Sequence, residues 1–154
     1  FQKLRERIPG LVLRTSLITG LPGEGEAEFE ELCDFLREAK IERAGVFPYS
    51  PEEGTPAAVM PDRCSTEEAQ RRAELCMDIQ AEIMDGFAET FIGRELDVLV
   101  MGREPDGTPW GRSEYDSPDI DSRVIFSGSA GPGDMVRVRI DSVDDGELIG
   151  EQIS

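Results

Sequence analysis

The chain has 154 residues, with 33 acidic and 16 basic side chains, a net charge of −17 and no histidine. That composition excludes a histidine base, a Ser-His-Asp triad and histidine metal ligands. No apolar run approaches the roughly 20 residues needed to span a bilayer, and no signal peptide opens the sequence, so no membrane partner and a cytoplasmic setting are expected. Acids outnumber bases in both halves: 19 against 10 over residues 1–90, and 14 against 6 over residues 91–154. Such a surface repels the phosphate backbone of a nucleic acid and better matches a basic protein, although charge alone would also serve solubility.

Phe1 to Ile8 reads as a helix, ended by Pro9-Gly10. No capping residue precedes it, so the chain is expected to begin inside a helix and to continue a longer protein. Leu11 to Thr19 reads as a buried strand that stops at Gly20-Leu21-Pro22-Gly23-Glu24, which suits neither strand nor helix. Within it Arg14-Thr15-Ser16 interrupts the apolar run, and polar groups in a buried strand need partners, either elsewhere in the fold or in a ligand. Glu26 to Lys40 follows with Phe29, Leu32, Cys33, Leu36 and Ala39 on one helical face. Ala44 to Tyr49 is the next strand. Strand, helix and strand make a β-α-β unit with parallel strands, whose chemistry would lie at the strand carboxyl ends, at GLPGE and YSPEEGTPA. GLPGEGE lacks both a Walker lysine and GxGxxG spacing, and Glu24 and Glu26 would repel a phosphate, so the loop does not read as a nucleotide-phosphate cradle.

Four prolines from Pro48 to Pro61 make a constrained loop without helical period. Ser65-Thr66-Glu67-Glu68 is a capping box, and Ala69, Ala73, Cys76, Ile79, Ile83 and Phe87 carry a helical stripe to about Thr90, its charged residues forming a solvated face. The period then changes to two. Leu96, Val98 and Val100 alternate, turns follow at Pro105-Asp106-Gly107 and Asp144-Asp145-Gly146, and further strands are marked by Val124 and Phe126, by Val136, Val138 and Ile140, and by Leu148 and Ile149. These make a small OB-like β-barrel, and two domains are expected, residues 1–90 and 91–154. Cys33, Cys64 and Cys76 are far apart in sequence and form no cluster-binding or zinc motif, so they read as structural and no metal site is expected.

RTSLITGLPGE followed by VFPYSPEEGTPA resembles the last strands of the radical S-adenosylmethionine barrel of the methylthiotransferases. FIGRELDVLV, WGRSEYDSPDID and PGDMVRVRIDSVDDGELIGE resemble the TRAM domain that closes those enzymes, with GRSEYDSPDID closest to the RimO-like branch, which modifies an aspartate of ribosomal protein twelve of the small subunit. The resemblance implies an α/β plus all-β fold: the carboxyl-terminal part of a TIM-like β/α barrel, then the TRAM barrel. It implies S-adenosylmethionine and two [4Fe-4S] clusters as cofactors of the full-length enzyme, the cluster ligands lying outside this sequence. No residue here is then a catalytic acid or base, and this stretch alone is expected to be inactive. Arg14, Ser16, Ile18, Gly20, Phe47 and Tyr49 become candidates to hold the cofactor, an apolar side chain at Ile18 packing on adenine. Phe47 and Tyr49 could equally be barrel core, and Arg14 could equally pair with an acid. Arg112, Tyr115, Asp116, Asp119 and Asp121 are candidates to contact a basic ribosomal protein. A tRNA methylthiotransferase fragment and a stand-alone acidic binding module are the alternatives, tRNA being the poorer electrostatic match.

Overall fold

The structure, a computed structural model, describes residues 1–154 and divides into two compact units, Phe1–Met84 and Asp85–Ser154. In the first, helix α1 (Gln2–Arg7) leads to strand β1 (Arg14–Thr19), helix α2 (Glu26–Ala39), strand β2 (Arg43–Pro48) and helix α3 (Thr66–Glu89), which begins here and ends in the second unit. Strand β1 starts three residues later than its apolar run suggests. Leu11 N–H closes a turn on the Ile8 carbonyl and Leu13 N–H donates to the Glu42 carboxylate, so neither group is available to a ladder. Helix α2 ends on Lys40 in the left-handed conformation (φ 44°). Its last carbonyls are met by Arg5 of α1, which donates to Ala39 O at 2.6 Å and Lys40 O at 2.8 Å. Gly25 offers no capping side chain, but Glu28 reaches back to its N–H at 2.9 Å.

Strands β1 and β2 pair in parallel, Ser16 opposite Gly45 and Ile18 opposite Phe47. Period-two alternation therefore sends Leu17 and Val46 to one face, where they meet Phe29, Cys33 and Leu36 of α2 and Ala73 and Cys76 of α3. The proline-rich segment after β2 contains one feature its sequence did not suggest, a short 3-10 helix over Pro56–Val59, whose first proline has the φ that such a turn needs.

In the second unit β3 (Glu95–Arg103), β4 (Pro109–Arg112), β5 (Val124–Ser127), β6 (Met135–Asp144) and β7 (Glu147–Gln152) close into a barrel in the order β3-β4-β5-β7-β6. Only β5 and β7 pair in parallel. The alternating residues read from the sequence, Leu96, Val98, Val100, Val124, Phe126, Val136, Val138 and Ile140, all point into its core, joined by Ala88 and Phe91. Where β6 bends over β7, a side chain on Gly150 would run into the Arg139 carbonyl, so only glycine permits that approach. Outside, Arg137 bridges Asp97 (2.9 Å) and Glu95 (3.4 Å), and Arg139 bridges Glu151 (2.9 Å) and Asp141 (3.2 Å). No helix is long and apolar enough to cross a membrane.

Candidate functional site

The parallel register of β1 and β2 gathers the side chains that do not enter the core onto one open face. Ile18 (48% exposed) and Phe47 (56% exposed) lie side by side at the carboxyl ends of the strands. Together with Ser16, Leu21, Tyr49 and Thr55 they line a mostly apolar cleft of about 510 Å³. Two large apolar side chains left in water at the carboxyl end of a parallel sheet suit a flat apolar ligand. Phe47 is exposed and Tyr49 half-buried on the open side of this two-stranded sheet. Tyr49 N–H donates to Thr19 O at 2.8 Å, which holds the two strand ends together beyond the ladder. Its hydroxyl is buried and has no hydrogen-bond partner, a donor that a bound molecule could satisfy.

Arg14 and Gly20 stand apart from that group. Arg14 lies exposed at the opposite, amino-terminal end of β1. Gly20 borders a neighbouring cleft of about 470 Å³ with Cys64, Ser65 and Ala69, to which Tyr49 also contributes. Its role is steric. With φ +77° it takes a left-handed turn, and a Cβ there would overlap the Ala69 Cβ of α3.

The network behind the cleft was not foreseen from sequence. The Glu24 carboxylate, read from the sequence only as a group that would repel a phosphate, accepts Gly20 N–H at 2.8 Å and Arg72 Nη1 at 2.9 Å through the same oxygen. Arg72 also donates to the Glu24 and Gly25 carbonyls at 3.1 and 3.2 Å and to Glu68 at 2.8 Å, and it stacks on Phe29 at 5.2 Å. It is 5% exposed, so not all the charges of α3 form a solvated face. A signal existed: residues 69, 72, 73, 76 and 80 follow one helical stripe, and Arg72 and Gln80 occupy it beside Ala69, Ala73 and Cys76.

The cysteines behave as small hydrophobes, yet two that are 43 positions apart in sequence meet. Cys33 and Cys76 sulfurs lie 4.0 Å apart between α2 and α3. Burial, and then the neighbouring Cys33, push the Cys76 thiol up to about 12. No group of three or more Cys, Asp or Glu side chains converges at metal-binding distance.

In the barrel unit the five substrate candidates divide by role. Asp116 is buried and accepts Ser113 N–H at 3.0 Å and its hydroxyl at 2.6 Å. Asp121 accepts Ser117 N–H at 2.6 Å. Tyr115 packs on Phe91 at 5.0 Å, with the Arg94 guanidinium over both rings. These three shape the loop between β4 and β5. Asp119 stands on its outer side next to Ile120, which is 76% exposed, and Arg112 is half-buried with a buried Nε that makes no hydrogen bond.

Residues 92–153 match the TRAM domain family. Over 97% of its length the chain is 47% identical to the ribosomal protein uS12 methylthiotransferase RimO of Symbiobacterium thermophilum, covering 32% of that protein. It is 46% identical over 97% of its length to the same-named protein of Desulforamulus reducens, and 46% identical over 99% to that of Geobacter sulfurreducens, covering 35% of each. The chain thus spans about a third of the length of the curated relatives it matches.

Proposed function

We propose a function for a chain that belongs to the RimO-like family of methylthiotransferases: the protein of which it forms part adds a methylthio group to the β-carbon of an aspartate in ribosomal protein twelve of the small subunit. The first unit is read as the carboxyl-terminal part of a radical S-adenosylmethionine barrel and the second as a TRAM domain that recognises the protein substrate. The observation that carries the cofactor reading is the exposed Ile18–Phe47 pair beside the unpartnered Tyr49 hydroxyl. These residues fit an adenosyl group. Ile18 and Phe47 offer apolar surface to a ring system, Tyr49 a hydrogen-bond donor and Ser16 a second polar group at the cleft wall. Arg14 and Gly20 do not line that cleft. The bound cofactor, with two [4Fe-4S] clusters held by residues outside this sequence, supplies the methyl group and the radical chemistry. This chain's own residues bind, orient and keep water from the cleft, and by itself the chain is expected to be inactive.

For the substrate, a basic protein suits the barrel better than tRNA. Its arginines are largely spent on the barrel itself: Arg123 on Glu104 and Glu147, Arg137 and Arg139 on four acids, and Arg103 on the carbonyls of Gly107, Ser129 and Ala130. Few cations remain to meet phosphates. Asp119, on a loop shaped by Tyr115, Asp116 and Asp121, is the acid and Arg112, at the end of β4, the guanidinium best placed to touch the substrate. The test combines the full-length, cluster-loaded protein, S-adenosylmethionine, a reductant, inorganic sulfide as the source of the inserted sulfur, and the basic small-subunit protein. Mass spectrometry should find hydrogen replaced by methylthio at one aspartate, and binding to the basic protein should weaken as salt rises. Strong tRNA binding without protein binding would sink the reading.

A further inference from the structure

We infer that Arg72 is a positioning residue for the cofactor cleft, acting through Glu24 on the loop that leaves β1. The inference rests on the adenosyl reading of that cleft. Arg72 does not line the cleft itself. It sits behind the loop, 5% exposed, with Nη1 directed at the Glu24 side chain, the Glu24 carbonyl and the Gly25 carbonyl and Nη2 at the Glu26 carboxylate, 3.3 Å away. A further bond, from Nε to Glu68 one helical turn earlier, fixes the guanidinium against α3, and Phe29 of α2 supports its face. The same Glu24 oxygen that meets Arg72 also accepts Gly20 N–H.

Gly20 is two residues from Ile18 and adjacent to Leu21, and both of those side chains line the cleft. A change at Arg72 would therefore reach the cleft through one carboxylate and one backbone amide. A turn such as Gly20-Leu21-Pro22-Gly23, with left-handed φ at both glycines, has little side-chain packing of its own to keep its shape. The buried ion pair and its hydrogen bonds supply that constraint, and breaking one side of such a pair is strongly disruptive. Lysine keeps the charge but cannot reproduce a fork that bonds several acceptors in fixed directions.

The experiment uses the protein at its full encoded length and S-adenosylhomocysteine as an unreactive probe, with binding measured by calorimetry and backbone amide exchange followed by mass spectrometry. Arg72→Lys and Glu24→Gln are compared with wild type and with Arg71→Gln, an exposed neighbour whose ion pair is with Glu68. Arg72→Lys should weaken probe binding at least tenfold and speed exchange over residues 18–25, while affinity for the basic protein substrate stays within twofold. Glu24→Gln should move both readouts in the same direction, and Arg71→Gln should move neither. Retained probe affinity in both Arg72→Lys and Glu24→Gln overturns the inference while leaving the cofactor reading intact. A wild-type protein that does not bind the probe overturns both. Loss of substrate-protein affinity in step with probe affinity marks general unfolding and also counts against a positioning role.

Discussion

At the scale of single residues, Gly20 and Cys76 show how neighbours decide what a residue type means. Gly20→Ala combines a left-handed backbone, costing about 1–3 kcal/mol for a residue with a Cβ, with overlap against Ala69 that overpacking data place at about 1–3 kcal/mol more. A urea titration followed by a probe in the α/β unit should show a clearly lowered midpoint, and an unchanged one would mean that α3 does not pack there in solution. Cys76, its thiol pushed up to about 12 by burial and then by Cys33, stays protonated and unreactive at pH 8. Iodoacetamide should therefore label half-exposed Cys64 first and leave buried Cys33 and Cys76 until the protein is unfolded, which peptide mapping reads directly.

At the scale of elements, the start of α3 carries a testable pH dependence. Hydrogen bonds from Arg71 and then Arg72 lower the Glu68 carboxyl from its ordinary 4.5 to about 2. A depressed folded value means that the ionised form is favoured by folding. Its contribution is complete above about 4.5 and fades as pH falls toward about 2. Carbon-detected titration of Glu68 should show no protonation at pH 3.5, where an unpaired glutamate would be mostly neutral. A titration at the ordinary value would show the Arg71 and Arg72 pairs to be absent in water. The capping box that announced this helix is present in the form that matters, Ser65 Oγ accepting Glu68 N–H at 3.1 Å. Helix α2 shows the complement, since Gly25 has no capping side chain and Glu28 reaches back to its N–H instead.

At the scale of the whole molecule, the two units close their sheets differently. The barrel pairs every strand on both sides, whereas β1 and β2 form a two-stranded sheet with open outer edges. Light scattering of the 154-residue chain should therefore reveal concentration-dependent association, and a monodisperse monomer across the range would contradict it. Charge works against indiscriminate association, since −17 keeps copies apart at low salt, so the effect should grow as salt is raised.

Much of this architecture was legible in the sequence, because periodicity, turn residues and capping signals are local. The parallel β-α-β unit, the long capped helix and the alternating barrel strands each follow from residues within a few positions of one another. Composition likewise determined the net charge of −17. Side-chain meetings across long separations were decided only by tertiary structure: Arg72 with Glu24, Cys33 with Cys76, and Ile18 beside Phe47 in one register. Their energies depend on burial and on distances of a few ångströms, which the linear order of residues does not specify. The same reason explains why Asp116 and Asp121, acids in a segment that reads as a binding surface, turn out to spend their carboxylates on their own loop.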